Sequence, residues 1–130
     1  MYLLDTNSLI YFFRGQGNVA SRILATPPVE LAVPAIVIYE LEVGIARSSS
    51  PQKRLGQLRE VLQYMRILPF EASAAREAAR IRVQLEATGQ PIGPMDVLIA
   101  GTTLAHAAVL VTRNEKEFNR IPQLRTENWY

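Results

Sequence analysis

The sequence predicts an α/β fold of three layers, in which helices cover both faces of a central, mostly parallel sheet. Short apolar runs typical of buried strands alternate with longer runs of helical spacing along the whole chain. This β-α order favours parallel strands joined by helical crossovers. With 130 residues, 48% of them hydrophobic, and with no linker or internal repeat, the chain is predicted to form one domain over residues 1–130.

The first elements are a strand and two short helices. Residues 1–4 are an apolar run, which predicts a buried strand that opens the chain. Residues 8–13 predict a short helix that Gly15 and Gly17 end. Asn18 is a suitable N-cap for a second helix, which runs to residue 25.

A second strand and two longer helices come next. After two consecutive prolines, residues 31–33 predict another buried strand. Pro34 suits the first turn of a helix over residues 35–46. The next helix starts at Ser50-Pro51 and carries an apolar stripe at helical spacing, which consists of Leu55, Leu58, Val61, Leu62 and Met65.

The second half of the chain continues the alternation. A brief strand at residues 67–68 precedes an alanine-rich helix over about 73–88, whose small residues permit close packing and which Gly89 can cap. Gly93-Pro94 introduces a helix that carries Asp96 and continues to about His106. The remaining elements are a strand at residues 109–111, a helical turn at Glu117 and Phe118, and an edge segment near Trp129.

Acidic residues at element boundaries predict one acidic centre. The chain has only two aspartates: Asp5 directly follows the first strand, and Asp96 is expected in the first turn of its helix. Because carboxyl ends of parallel strands meet at one sheet edge, Asp5 and residues 112–114 are expected to be neighbours. Glu40 and Glu117 are further candidates. If these carboxylates meet, they need a cation, and oxygen ligands favour Mg²⁺ or Mn²⁺.

Each acid also has a purely structural interpretation. Asp5, or the following threonine, can simply cap the first helix. Asp96 can be a first-turn acid that the helix dipole favours, and Glu40 can be solvent-facing. The two C-terminal glutamates have the spacing of capping-box partners in Thr112-x-x-Glu115 and Asn114-x-x-Glu117.

The charge pattern suits a polyanionic substrate. The net charge is only +2, but if four acids gather in one pocket, the rest of the chain carries 14 basic against eight acidic residues. A basic surface around an acidic pocket attracts a polyanion. The polyanion can then be cut at a cation that the carboxylates of the pocket hold. Lys53 and Lys116 are the only lysines; the other basic residues are arginines, which bind phosphates in bidentate fashion. A compositional bias toward arginine explains this excess equally well.

Several chemistries and locations are excluded or disfavoured. The chain has no cysteine and a single histidine, so neither a thiolate nucleophile, a zinc hydrolase site nor a ribonuclease with paired imidazoles is expected. No phosphate-cradling glycine loop matches a nucleotide-binding pattern. No apolar run approaches the ~18 residues of a membrane span and no signal peptide is recognisable, so a cytosolic protein is expected.

Four motifs in this order resemble the PIN-domain ribonucleases, and most closely the VapC toxins of bacterial toxin–antitoxin modules. The resemblance covers essentially the whole chain. Its motifs are Leu4-Asp5-Thr6-Asn7, Tyr39-Glu40-Leu41-Glu42-Val43-Gly44, Ile92-Gly93-Pro94-Met95-Asp96 and Val111-Thr112-Arg113-Asn114 with Glu117-Phe118.

The resemblance implies an endoribonuclease that depends on Mg²⁺, with Mn²⁺ as a substitute. Asp5, Glu40 and Asp96 match the three main acidic positions, with Asp5 and Asp96 as direct metal ligands. Glu40 is preferred over Glu42 because the glutamate of the family stands four residues before a glycine. Many relatives have an aspartate where this chain has Asn114, so the fourth position falls to Asn114 or to the nearby Glu117.

The resemblance also implies the roles of neighbouring side chains. Thr6 and Thr112 match hydroxyl positions that line the site. Arg14 or Arg113 is expected to hold a flanking phosphate. Metal-assisted hydrolysis needs no substrate 2′-OH, so the products should carry 5′-phosphate and 3′-OH ends. The substrate is expected to be tRNA, with the anticodon stem-loop of initiator tRNA as the closest match.

The implied partners are a second copy of the chain, in a homodimer, and a VapB-type antitoxin. The apolar stripe between Leu55 and Met65 is a candidate for antitoxin contacts, and packing against the core of the protein explains it equally well. Two alternatives differ in class. A PIN module that binds RNA without cutting it usually lacks one of the acids. A haloacid-dehalogenase-type phosphotransfer enzyme expects a second aspartate where this chain has Asn7.

Overall fold

The computed structural model describes all 130 residues and confirms the α/β fold, with one five-stranded sheet flanked by helices. All of its strand pairs are parallel, and their order is β3-β2-β1-β4-β5. The strands are β1 (Tyr2–Leu4), β2 (Leu31–Pro34), β3 (Arg66–Leu68), β4 (Val109–Val111) and β5 (Arg125–Glu127).

Seven α-helices and one 3₁₀ turn at Pro28–Glu30 connect the strands, close to the positions that the sequence predicts. None of the helices has the length and apolar character that crossing a membrane would require. The helices are α1 (Thr6–Arg14), α2 (Val19–Leu24), α3 (Ala35–Ala46), α4 (Pro51–Leu62), α5 (Ala72–Ala87), α6 (Pro94–Ala105) and α7 (Glu115–Phe118).

One local prediction was wrong, and two capping bonds that the sequence allows do not form. Pro34 ends β2 and caps α3 instead of lying in its first turn. Asn18 is the N-cap residue of α2, as predicted, but its side chain makes no capping bond, and its amide Nδ2 donates a hydrogen bond to the carbonyl oxygen of Tyr130. Asn114 likewise precedes α7 without a capping bond from its side chain, so it forms no capping box with Glu117.

The order of the strands creates a switch point at the centre of the sheet. The chain first builds outward from β1 through β2 to β3 and then returns to the other side of β1 with β4 and β5. Leu4 at the end of β1 pairs with Val111 at the end of β4. The residues that follow, Asp5 and Thr112, therefore leave the sheet side by side at its carboxyl edge. Ligands of open α/β sheets bind at such a switch point.

Small residues bring α5 and α6 together, as the sequence predicts. A Cβ atom added to Gly101 of α6 would lie 2.7 Å from the Cβ of Ala78 and 2.8 Å from the carbonyl oxygen of Ala74, both in α5. Elsewhere, the apolar stripe of α4 turns Leu58 and the nearby Met65 into the core. At these two positions the stripe packs against the protein itself.

Candidate active site

Asp5 lies at the sheet edge and is almost fully buried, with 5% of its surface exposed. It is the N-cap of α1, and its Oδ1 accepts a hydrogen bond of 2.8 Å from the backbone N–H of Ser8. Burial raises the pKa of the Asp5 carboxyl, and the charge of Glu40 adds to that rise, whereas hydrogen bonds from Thr112 and Ser8 oppose it. Capping α1 and belonging to an acidic centre are thus compatible roles of one side chain.

Asp96 enters the same centre from α6. Gly93 caps this helix and Pro94 opens it, so Asp96 is its third residue, as the sequence predicts. Burial, followed by the charges of Glu40, Glu117 and Asp5, raises the pKa of Asp96 to about 6. Such repulsion requires the four carboxylates to be close, because the interaction between charges falls with distance. The structure therefore brings together the four acids that the sequence singled out.

Glu40 lies in α3, and α1 fixes its side chain. Its Oε1 accepts a hydrogen bond of 2.6 Å from the hydroxyl of Thr6, 34 residues earlier in the chain. Glu40 is half-buried, whereas Glu42 is exposed. Glu40 is therefore the glutamate of α3 that belongs to the acidic centre. Thr6 bridges α1 and α3, and its hydroxyl occupies one lone pair of this carboxylate.

The fourth corner of the centre contains both of its candidates. The amide Nδ2 of Asn114 donates a hydrogen bond of 3.0 Å to Oε2 of Glu117, so the two side chains form one unit. The loop that carries them is held by Thr112, which is fully buried and whose hydroxyl accepts a hydrogen bond of 3.0 Å from the backbone N–H of Asn114. Asn114 therefore orients Glu117, and the acid comes from α7.

The two arginines named by the sequence have different surroundings. Arg14 is exposed at the end of α1, where it lines a cleft that also reaches Glu40. The guanidinium carbon of Arg113 lies 3.6 Å from the ring centroid of Tyr130 and 5.7 Å from that of Tyr11. This stacking fixes one face of the Arg113 side chain.

Ser8 is a residue of the centre that the sequence reasoning missed. It is buried, its backbone N–H donates to Asp5, and its hydroxyl donates to the carbonyl oxygen of Val111 at the end of β4. It therefore joins α1 to β4. No local signal singled it out, because any residue other than proline offers the backbone N–H that the cap requires, and the contact of its hydroxyl with Val111 spans 103 residues.

The donor chemistry of the centre suits a hard divalent cation. Its four carboxylates and two hydroxyls offer only oxygen, and two of the carboxylates have raised pKa values because they are buried among like charges. No group of three or more acidic, histidine or cysteine side chains is already arranged to hold a metal ion. The residues thus fit a cation in type and charge, but their side chains are not in ligand geometry.

Comparison with known proteins gives one family and full-length relatives. The family model of the PIN domain matches residues 2–124. The chain is 34% identical to Ribonuclease VapC2 of Rickettsia felis, over 99% of this chain and 98% of the relative. It is 29% identical to the tRNA(fMet)-specific endonuclease VapC of Shigella flexneri, over 98% of this chain and 97% of the relative.

Solved structures agree with the sequence relatives. The fold is similar to that in VapBC2 from Rickettsia felis bound to a promoter DNA fragment, with a TM-score of 0.93, 33% identity and coverage of 99% and 98% of the two chains. DNA-bound VapBC from Salmonella typhimurium also gives a TM-score of 0.93, at 30% identity over 99% of this chain and 98% of that one.

Proposed function

This chain belongs to the PIN domain family, as a VapC-type ribonuclease toxin of the toxin–antitoxin systems, and from that premise we propose that it is a metal-dependent endoribonuclease that cuts tRNA. One observation carries the proposal. Asp5, Glu40, Asp96 and Glu117 come from separate parts of the chain, and burial together with the charges of the other three acids raises the pKa of Asp96 to about 6. The repulsion among these acids does not stabilise the fold, and a bound cation would offset it, so we infer that the centre binds a cation.

Asp5 and Asp96 are the proposed metal ligands, with Mg²⁺ as the cation and Mn²⁺ as its substitute. Both carboxyls have raised pKa values from burial and like charge, which a bound cation would offset. When bound, the cation supplies charge neutralisation at the phosphate and activation of water.

The protein's own residues orient the reacting groups. Thr6 fixes one oxygen of Glu40 and Asn114 fixes one oxygen of Glu117, so each carboxylate keeps another oxygen to accept a hydrogen bond from water. Thr112 and Ser8 hold the loop and the helix from which Asn114 and Asp5 project. Arg14 and Arg113 bind phosphates beside the cut.

The reaction is hydrolysis of a phosphodiester. The oxygen of water forms a bond to phosphorus and the bond to the 3′-oxygen breaks, with one proton of water finally on that 3′-oxygen. The products carry 5′-phosphate and 3′-OH ends. The substrate is proposed to be tRNA, and the anticodon stem-loop of initiator tRNA in particular, because relatives that are about 30% identical are named tRNA(fMet)-specific endonucleases.

The proposed partners are a VapB-type antitoxin and a second copy of the chain. The similar solved structures are VapBC toxin–antitoxin complexes, which supports the antitoxin as a partner. Family membership removes the haloacid-dehalogenase alternative. The remaining alternative is a PIN module that binds RNA without cutting it. An experiment must distinguish this module from the proposed ribonuclease.

The decisive experiment compares Asp5→Asn and Asp96→Asn with the wild type on a tRNA pool with Mg²⁺ or Mn²⁺. Each variant should lose roughly 10²- to 10³-fold in cleavage rate, the size expected when a group that stabilises charge in the transition state is removed. Glu42→Gln is the matched control, since Glu42 is the exposed neighbour of Glu40, and it should cut normally. Equal cleavage by all four proteins would refute the metal-site assignment, and a 2′,3′-cyclic phosphate end would refute the mechanism.

A further inference from the structure

A cleft with mixed polar and apolar walls lies between α1, α3 and α4 and reaches the acidic centre at Glu40. Its volume is about 230 Å³. This is smaller than the ~300–1,000 Å³ of typical small-molecule pockets. Apolar side chains form part of its lining, and its polar and charged side chains are those of Arg14, Glu40, Ser48, Arg54 and Gln57, with Gly44 also lining it from α3. The cleft therefore joins an acidic end, where a cation would be held, to a basic stretch.

The two arginines of the cleft have no acidic partner. The ion pairs of the protein are Arg22 with Glu127, Arg80 with Glu77 and Arg82 with Glu86, and neither Arg14 nor Arg54 forms one. Arg14 projects from α1 and Arg54 from α4, so they approach the cleft from different helices. Two unpaired guanidinium groups that share a cleft are suited to a phosphate, which they can bind by charge-assisted hydrogen bonds.

Gly44 keeps the floor of the cleft open. It lies in the interior of α3 and has no left-handed backbone angle that would require glycine. A Cβ atom added there would meet nothing within 4 Å. Glycine within a helix costs about 1 kcal/mol relative to alanine. At Gly44 neither closer packing nor backbone geometry offsets this cost. What the missing side chain provides is space next to Glu40.

We propose that this cleft binds the RNA strand that flanks the cut, as a single strand, with a backbone phosphate between Arg14 and Arg54 and the nucleotide over Gly44. A cleft of about 230 Å³ has room for about one nucleotide of a flexible strand, so the proposal is for a single strand. Bases that leave a stack in a loop offer such a strand. The inference rests on the proposed ribonuclease function and adds the substrate path, with Arg54 and Gly44 as residues that bind and shape it.

The charge part is tested by RNA binding in the Asp96→Asn background, which separates binding from cutting. Affinity for a single-stranded RNA oligonucleotide is measured by fluorescence anisotropy over a range of salt concentrations. Arg14→Ala and Arg54→Ala should each weaken binding and lower the slope of log affinity against log salt by about 0.7, the value for one phosphate contact on a single strand. Arg59→Ala is the control, because Arg59 is exposed on α4 outside the cleft. An unchanged slope in the Arg14→Ala/Arg54→Ala double variant would overturn the proposal.

The shape part is tested by Gly44→Leu against Gly56→Leu in the otherwise wild-type protein. Both glycines lie in helix interiors with open space at the Cβ position, but only Gly44 lines the cleft. Both variants should melt at or above the wild-type temperature, because leucine favours a helix. Gly44→Leu should lose at least tenfold in kcat/KM, mainly through KM, whereas Gly56→Leu should keep the wild-type value.

The outcomes distinguish the two proposals. If Asp96→Asn cuts tRNA as well as the wild type, the ribonuclease site itself is wrong. If Asp96→Asn is inactive while Gly44→Leu cuts as fast as Gly56→Leu, the site stands and the cleft is not the path of the RNA.

Discussion

The α5–α6 contact and the acidic edge of the sheet are both partly buried, yet they affect stability in opposite directions. At the α5–α6 contact, Gly101 lets the two helices lie so close together that no space remains for one methyl group. At the acidic edge, burial and the charges of neighbouring carboxylates raise the pKa values of Asp5 and Asp96, so keeping these acids ionised costs free energy in the folded state. The contrast indicates that close packing elsewhere offsets the free energy that burying the acids together costs.

The largest effect is expected from closing the α5–α6 contact. Gly101→Ala should lower the free energy of unfolding by about 2 kcal/mol, because the new methyl group would lie under 3.0 Å from both the side chain of Ala78 and backbone atoms of α5. Urea denaturation measures it. Gly56→Ala, where the same methyl group meets nothing within 4 Å, should instead stabilise the protein. Equal stability of the two variants would contradict the contrast between the regions.

The next effect concerns the cation. At ten times its dissociation constant, Mg²⁺ should raise the free energy of unfolding of the wild type by about 1.4 kcal/mol, since it binds the folded state alone. Thermal melting with and without Mg²⁺ measures the shift. Asp96→Asn should lose most of it, whereas Gly56→Ala should retain it in full. A shift of the same size in Asp96→Asn would show that the acidic centre is not where the cation binds.

A smaller effect is expected from pH in buffer without divalent cations. The pKa of Asp96 is about 6 in the folded protein and 3.8 as its ordinary value, so the folded state binds this proton more tightly than the unfolded state. The stabilisation is present at low pH and is lost as pH rises from about 4 through 6. Asp96→Asn removes this titration. The free energy of unfolding of Asp96→Asn should therefore exceed that of the wild type at pH 7. This difference should be about 1 kcal/mol larger at pH 7 than at pH 5.

This pH effect is read from urea unfolding of both proteins at the two values. Asp5 adds to the wild-type dependence with the same sign, because burial raises its pKa too. A stability difference between Asp96→Asn and the wild type that did not change with pH would contradict the repulsion at the acidic edge.

The smallest effect should come from the fourth corner. Glu117→Gln should weaken Mg²⁺ binding only a few-fold, because its carboxylate lies at the edge of the centre and shares a hydrogen bond with Asn114. Glu115→Gln, which changes the first residue of α7 and leaves the bond between Asn114 and Glu117 intact, should leave Mg²⁺ binding unchanged. Isothermal titration with Mg²⁺ compares them. A loss as large as that of Asp96→Asn would make Glu117 a main ligand instead of an outer one.

Much of the fold was open to prediction from short patterns. The apolar run before Asp5 predicted β1, and Gly93-Pro94 predicted a helix with Asp96 as its third residue, because caps and prolines act over a few residues. Predictions were incomplete where a distant group takes part. The side-chain amide of Asn18 donates to the carbonyl oxygen of Tyr130, 112 residues away, and the side chain makes no capping bond to α2. No local pattern carries that information.

The glycines within helices also show what a local pattern predicts and what it does not. Gly44, Gly56 and Gly101 are each a glycine within a helix, and nothing local separates them. The structure gives them three environments: the floor of a cleft, open solvent and a close helix contact. Their substitutions therefore have different expected results.

The sequence by itself determined the order of the elements and the identity of the acids, since strand periodicity, caps and the four motifs are local. Only the tertiary structure decided which acids meet and what fixes them. The hydrogen bond between Thr6 and Glu40 spans 34 residues, and the bond from Ser8 to Val111 spans 103. Such contacts depend on the parallel register of β1 with β4 and on the packing of helices against the sheet. The repulsion among the acids arises from that packing and from no single segment.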